Sequence, residues 1–319
     1  MPYLIGTDEA GYGPRLGPLV ISISVWHVTE APEEFDLYTR LASIISPSKT
    51  SAADKIAIAD SKLLYKSHGS LGNLERAIFP ALSALGSYPH DWASLWEILA
   101  GASGAPRQNL PWYQNYTEPL PLDAKPQELD RLGQQFRNDL DRTETKLLAL
   151  RSLALFPQHF NQLTHQLGSK GTTLTTTTLQ LIAEVMDELP PDESFIVCDK
   201  HGGRNHYLPA LQQQFPEHLV AVKHESRPLS VYQLGPPEHR AEIRFQAGGE
   251  TFLPTALASL ASKYLRELAM RAFNAYWRRK HPQLRPTAGY PADAERFCQE
   301  IEPVRKRLNI SETQFWRVK

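Results

Sequence analysis

The chain has 319 residues, 41% of them hydrophobic, enough for a real core in one large domain with insertions or in two lobes. Its 34 Lys and Arg balance 35 Asp and Glu to a formal net charge of −1, so overall charge gives no sign of a nucleic-acid partner. The two cysteines, Cys198 and Cys298, form no CxxC pattern and indicate neither a cysteine zinc site nor a disulfide framework.

From the N-terminus, "YLIGTD" and "PLVISISVWHV" read as strands separated by a Gly/Pro turn. "EEFDLYTRLASII" has a helical look, and "IAIADSKLL" reads as a strand or short approach to a polar tripeptide. "LGNLERAIFPALSAL" has helical apolar spacing. The stretch from about 87 to 127 is rich in Pro, Gly and aromatics and reads as an insertion or small subdomain. "PQELDRLGQQFRNDLDRTETK" is a polar helix, and "LLALRSLALFP" a core strand. "TTTTLQLIAEVMDEL" is a helix entered through threonines, which suit a cap. "SFIVCD" is a buried strand and "YLPALQQQF" a helix after it. "LVAVKH", "LSVYQL" and "AEIRFQA" are three short strands, and "TALASLASKYLRELAMRAFNAYWRRK" is the longest helical pattern. Alternating strands and helices predict an α/β sheet.

The N-terminal "MPYLIGTDEAGYG" has no basic region or long apolar stretch, so no signal peptide is expected. No run approaches the roughly 18 apolar residues of a membrane span, and a cytoplasmic location is the default. Charge is unevenly spread. From Ala258 to Lys319 there are 13 Lys and Arg against 6 Asp and Glu, a local +7 that leaves −8 elsewhere. The C-terminal segment either faces something anionic or is a solvated helical face.

Four acids stand at element ends. Asp8 and Glu9 close an apolar strand and precede the glycine turn "AGYG". Neighbouring like charges raise each other's pKa or need a cation between them, so the pair is a solvated turn or a metal site. Neighbours on a strand point to opposite faces, so both reach one site only if the strand ends there. Asp60 in "ADSK" suits a helix cap. Asp199 ends "SFIVCD", where α/β sheets place their chemistry, although it could equally cap "KHGGRNHY". Glu250 follows two glycines that permit close approach, and alone it reads as a first-turn helix Glu. Taken together, such acids without Cys/His clusters suit hard Mg²⁺ or Mn²⁺. Two such ions about 3.5–4 Å apart can activate water and stabilise the leaving oxygen of a phosphodiester.

Five segments resemble type 2 ribonuclease H (ribonuclease HII), nearest its archaeal and eukaryotic branch. "GTDEAGYGPRLGPLV" resembles the family's G-[IV]-DEAGRGP-x-x-GP-[LM]-V, and "ADSKLL" its DSK-[KT]-L. "IVCDKHGGRNHYLPALQQQFP" resembles its strand–Asp–Tyr–helix–FP segment. "ALASLASKYLRELAM" resembles its SAASIxAKVxRDxxM, and "AGYPADAERF" its SGYPSDPxTxxF. They keep the family's order and span most of the chain.

The resemblance implies an α/β ribonuclease H-like mixed sheet flanked by helices. Residues 1–250 would form the catalytic core, with the insertion at 87–127. Residues 251–319 would form a helical substrate-binding region packed on it. It implies Asp8, Glu9 and Asp199 as catalytic, metal-binding acids. Glu250 is the candidate fourth, with Glu225 behind it because the family's acid often follows a "VK" strand. Ser61, Lys62, Ser259 and Lys263 would contact substrate phosphates. Tyr290 would stack on the sugar, and the turn Gly11–Tyr12–Gly13 would read the ribose 2′-hydroxyl. Tyr12 stands where the family has arginine. The implied activity is metal-dependent endonucleolytic cleavage, with Mg²⁺ or Mn²⁺ in a two-ion site. The substrate would be RNA in RNA/DNA hybrids or ribonucleotides in duplex DNA, leaving 3′-hydroxyl and 5′-phosphate ends. A protein partner could bind through 87–127. The alternative is a non-catalytic paralogue that binds hybrid or a protein.

Overall fold

The structure, a computed structural model, describes residues 2–30, 35–50, 52–66, 69–236 and 239–318, apart from the Ala102 side chain. Strand β1 (Tyr3–Ala10) pairs antiparallel with β2 (Leu19–His27), Leu4 facing Trp26 and Ala10 facing Val20. Both are apolar on both faces because helices cover both. Leu4, Val20 and Trp26 enter one core layer, and Ile5, Ile21 and Ile23 the other, as strand alternation requires.

The predicted helix at 33–45 is only α1 (Leu37–Arg40), capped by Asp36, whose carboxylate accepts the Tyr38 N–H at 3.0 Å. Residues 33 and 34 lie outside the described residues. Ile45 leaves the helix because it pairs with Ile56, joining β3 (Ile45–Ser46) to β4 (Ile56–Ala57). Then come α2 (Ser61–Leu64), α3 (Gly72–Ala84), α4 (Trp92–Gly104) and α5 (Pro126–Arg142).

Apart from the exposed Tyr88, the aromatics of 87–127 turn largely inward. Trp92, Trp96 and Trp112 are buried, Trp92 donates its indole N–H to Leu268 O at 3.2 Å, and Trp112 meets Phe273 edge-on at 5.2 Å. Aromatic area of this size is strongly driven out of water, so these rings belong to the core.

β5 (Lys146–Leu155) forms as a strand and pairs with β2 at the edge of the sheet. Its burial alternates because water reaches one face at Lys146, Leu148 and Arg151. Helix α6 (Pro157–Leu167), absent from the sequence reading, precedes α7 (Lys170–Glu188), β6 (Ser194–Asp199) and α8 (Leu208–Gln214). The three strands β7 (Ala221–Glu225), β8 (Leu229–Leu234) and β9 (Ala241–Gln246) form as expected. They complete a mixed seven-stranded sheet ordered β5-β2-β1-β6-β9-β8-β7, with β1, β6 and β9 mutually parallel.

A short 3₁₀ turn (Gly249–Thr251) leads into α9 (Leu253–Lys280), and α10 (Pro291–Arg307) follows. Helix α9 is part of the core, buried along most of its length. Its first turn is pinned to the sheet: Ser24 donates to Pro254 O at 2.7 Å, and Thr255 donates to Val197 O at 2.9 Å. The fold is therefore α/β, a mixed sheet flanked by helices with a helical C-terminal region. Among the described residues no helix is long and apolar enough to cross a membrane.

Candidate active site

Strand β1 outruns its neighbour. Its ladder with β6 ends at Thr7 and Cys198, whereas its ladder with β2 continues to Ala10. Beyond Thr7 a notch opens at the carboxyl end of the parallel strands, flanked by Asp8 and Glu9 on one side and Asp199 on the other. Asp8 shares the face of Leu4, toward α9, and Glu9 that of Ile5.

Asp8 is 7% exposed, and the Ser259 hydroxyl of α9 hydrogen-bonds its carboxylate. Burial, then the adjacent Glu9, push the Asp8 carboxyl well above the usual range, and Asp199 and Glu250 add to the shift. Burial and then Asp199 and Glu250 raise Glu9 to about 8, against the opposing pull of Lys62. The notch thus gathers negative charge on both faces of a strand end.

Glu250 reaches it through the two glycines before it. Gly248 sits at φ 71°, and Gly249 donates its N–H to Asp199 Oδ1 at 3.2 Å. A Cβ on Gly249 would stand 3.3 Å from the Asp199 backbone, so a larger residue would push the turn off the strand. Burial, then Asp199 and Asp60, raise the Glu250 carboxyl. Lys62 Nζ, on a largely exposed side chain, lies 3.9 Å from Glu250 Oε1. Asp60 caps α2, accepting the Lys62 N–H at 2.8 Å. Ser61 and Ser259 place their hydroxyl oxygens 3.2 Å apart beside Asp8.

Glu225 is engaged elsewhere. It accepts the Tyr232 O–H and lies 2.6 Å from His206 Nδ1, and these two contacts hold its carboxyl below the usual range. Of the two candidates for a fourth acid, only Glu250 acts on Asp8 and Glu9.

The donor set is oxygen only, the kind that Mg²⁺ and Mn²⁺ prefer, and a buried Asp8 needs positive charge nearby. The residues fit such an ion in kind. Their spacing is open: among the described residues no three His, Cys, Asp or Glu side chains are drawn close enough to hold one ion.

The turn after Glu9 differs at its two glycines. Gly11 has φ 96°, and a Cβ there would lie 2.6 Å from both Pro18 O and Arg266 Nε. Gly13 is exposed, has no left-handed φ, and its nearest neighbour would be Tyr290 at 3.8 Å. Glycine is thus required at 11 and not at 13. Tyr290 is 52% exposed beside this turn. Tyr12 packs inward, with Lys170 Nζ 4.5 Å from its ring centroid and its hydroxyl 3.2 Å from where a Gly202 Cβ would be. Lys263 follows Ser259 on α9, pairs with Glu267 at 2.7 Å and lies 4.9 Å over the Tyr65 ring.

Sequence reasoning missed the residues that hold this turn. Arg317 is 1% exposed and donates to Gly11 O and Pro14 O, and Arg266 donates to Ala288 O at 2.9 Å. Arg266 falls on the arginine of the α9 motif, whereas no motif includes Arg317. Part of the +7 is answered from outside the segment, since Arg271 pairs with Glu118.

No protein-family model matches the sequence, and no curated protein does. The chain is similar to solved structures at low identity. The ribonuclease H2 of Pyrococcus horikoshii is 14% identical over 98% of this chain and 92% of that one, at a TM-score of 0.44. The RNase HII of Archaeoglobus fulgidus, solved as a complex with PCNA, is 12% identical over 99% and 96%, at 0.45. Bst-RNase HIII, solved with Mn²⁺, is 12% identical over 99% of this chain and 66% of its own, at 0.42.

Proposed function

We propose that this protein is a metal-dependent endonuclease that cleaves RNA in RNA/DNA hybrids or ribonucleotides embedded in duplex DNA. The observation that supports this reading is that Asp8, Glu9 and Glu250 each have their carboxyl raised in part by Asp199, with Glu250 also acting on Asp8 and Glu9, next to the Gly11–Gly13 turn. The five motif segments supply the substrate class. Carboxylates gathered from the ends of β1 and β6 and from the turn before α9 are unfavourable on their own, and Asp8 and Glu9 bear the cost as raised pKa values.

Asp8, Glu9, Asp199 and Glu250 would hold Mg²⁺ or Mn²⁺, which when bound supplies an activated water and stabilisation of the leaving oxygen. The chain's own groups do the rest. Lys62, exposed at the rim, offers its ammonium to a phosphate oxygen. Ser61 and Ser259 offer hydroxyls on the α9 side, and Ser259 also hydrogen-bonds Asp8. Gly13, which carries no side chain and faces water, leaves its backbone open to a sugar hydroxyl. Tyr290 offers an exposed ring face beside it.

The test is incubation with a duplex containing one ribonucleotide, beside an all-DNA duplex and a full hybrid. Cleavage of the first or third, giving 3′-hydroxyl and 5′-phosphate ends, supports the reading. Tight binding without cleavage under Mg²⁺ and Mn²⁺ establishes the non-catalytic reading instead, which the open spacing of the carboxylates favours.

A further inference from the structure

Beside the glycine turn, on the far side of Tyr12 from the carboxylates, lies a cavity of about 370 Å³. Tyr12, Gly13, Arg15, Phe160, Lys170 and Arg317 contribute to its wall, which among the described residues includes three cations and no carboxylate. Arg317 is 1% exposed and comes from the last residues of the chain. Its Nη2 is used on Gly11 O and Pro14 O, but its Nε and Nη1 find no acceptor among the described residues. The guanidinium lies 4.9 Å over the Phe160 ring. A buried guanidinium with unmet donors is costly unless an anion completes it.

Lys170 opens α7, a nineteen-residue helix whose N-terminal end adds partial positive charge. Burial, then Arg317 and Arg15, hold its ammonium below the usual lysine range, which places the three cations within each other's field. Like charges so gathered, with no carboxylate in the wall among the described residues, form an anion site rather than an ion-pair network.

We propose that this cavity is a phosphate-binding subsite. It would take a non-reacting phosphate of a nucleic-acid strand that continues from the carboxylate notch across the turn. This rests on the nuclease reading for the identity of the strand, and on the cavity alone for the phosphate. Tyr12 is the partition between the two sites: its ring meets Lys170 on one side, and its hydroxyl feels Glu9 on the other.

The test uses Lys170→Glu and Arg15→Glu in the full chain, both on partly exposed side chains, so that neither depends on the buried Arg317. Affinity for a short hybrid duplex is read by fluorescence anisotropy across a salt series. Thermal melting is read with and without inorganic phosphate. Each variant should weaken duplex binding several-fold and lower the slope of log K against log[salt] by about one or more. Each should also shrink the stabilisation that phosphate gives the wild type. Salt lines superimposable on wild type, with phosphate stabilisation unchanged, overturn the proposal. A change in the phosphate response alone makes the cavity a small-anion site and overturns its role on a strand. If the wild type binds no duplex, the nuclease reading fails and the strand role with it, while the phosphate arm still decides for or against the cavity. Intact duplex binding without cleavage counts against catalysis and not against the cavity.

Discussion

At Asp8 two demands oppose each other. Burial under α9 favours a neutral acid, whereas a cation site needs a carboxylate. Asp8→Asn removes the conflict: the metal-free protein should melt at a higher temperature while cleavage falls by more than the 10–100-fold typical of losing an outer-shell partner, roughly speaking. Calorimetry and a cleavage assay check the two halves separately. Glu9 gives the pH dependence. Its folded-state pKa of about 8 lies above the ordinary glutamate value of about 4.3. The folded state therefore holds the proton more tightly, and this group's contribution to stability falls as pH rises from about 4.3 to about 8, then levels off. A divalent cation must displace that proton, so Mn²⁺ should raise the melting temperature more at pH 8 than at pH 6. An equal shift at both would mean that Glu9 is not at the cation. The turn offers a paired control. Gly11→Ala meets a left-handed φ and a 2.6 Å contact, and should cost more than about 1 kcal/mol of stability. Gly13→Ala should stay within about 0.5 kcal/mol, as denaturant unfolding of the two variants would show.

Among the elements, strands were more legible than helices. "SFIVCD" and "AEIRFQA" announce themselves because apolar runs bounded by polar residues have few alternatives at that length. The carboxylate ends of β1 and β6 could likewise be read, since an acid after a buried run stands out. Helices α6 and α10 were not read as elements, although each begins, like α5, at a proline well suited to the first helical turn. In the 87–127 stretch Pro and Gly hid the helical spacing of α4, whose tryptophans are core. Trp112→Ala should therefore cost about 3–5 kcal/mol, the range for truncating a buried aromatic. A loss below about 1 kcal/mol would mean the stretch does sit apart. Arg317 had no local signal at all. Its place is set by the contact of the C-terminal segment with residues 11–15, some 300 positions earlier in the chain.

For the molecule as a whole, a near-neutral sum conceals a divided surface, with an acidic notch on the sheet and cations at the turn and along the C-terminal helices. The carboxylates repel a phosphodiester unless a cation intervenes, while Lys62, Lys170 and Arg15 attract it. Binding without metal should therefore be carried by the cations, and chemistry by the notch. The decisive measurement is the cleavage rate of a single-ribonucleotide duplex by wild type and Asp8→Asn, with Mn²⁺ and with chelator. The account predicts cleavage by wild type with Mn²⁺ only, and binding but no cleavage by the variant. Cleavage by Asp8→Asn at the wild-type rate, or by wild type in chelator, would contradict it.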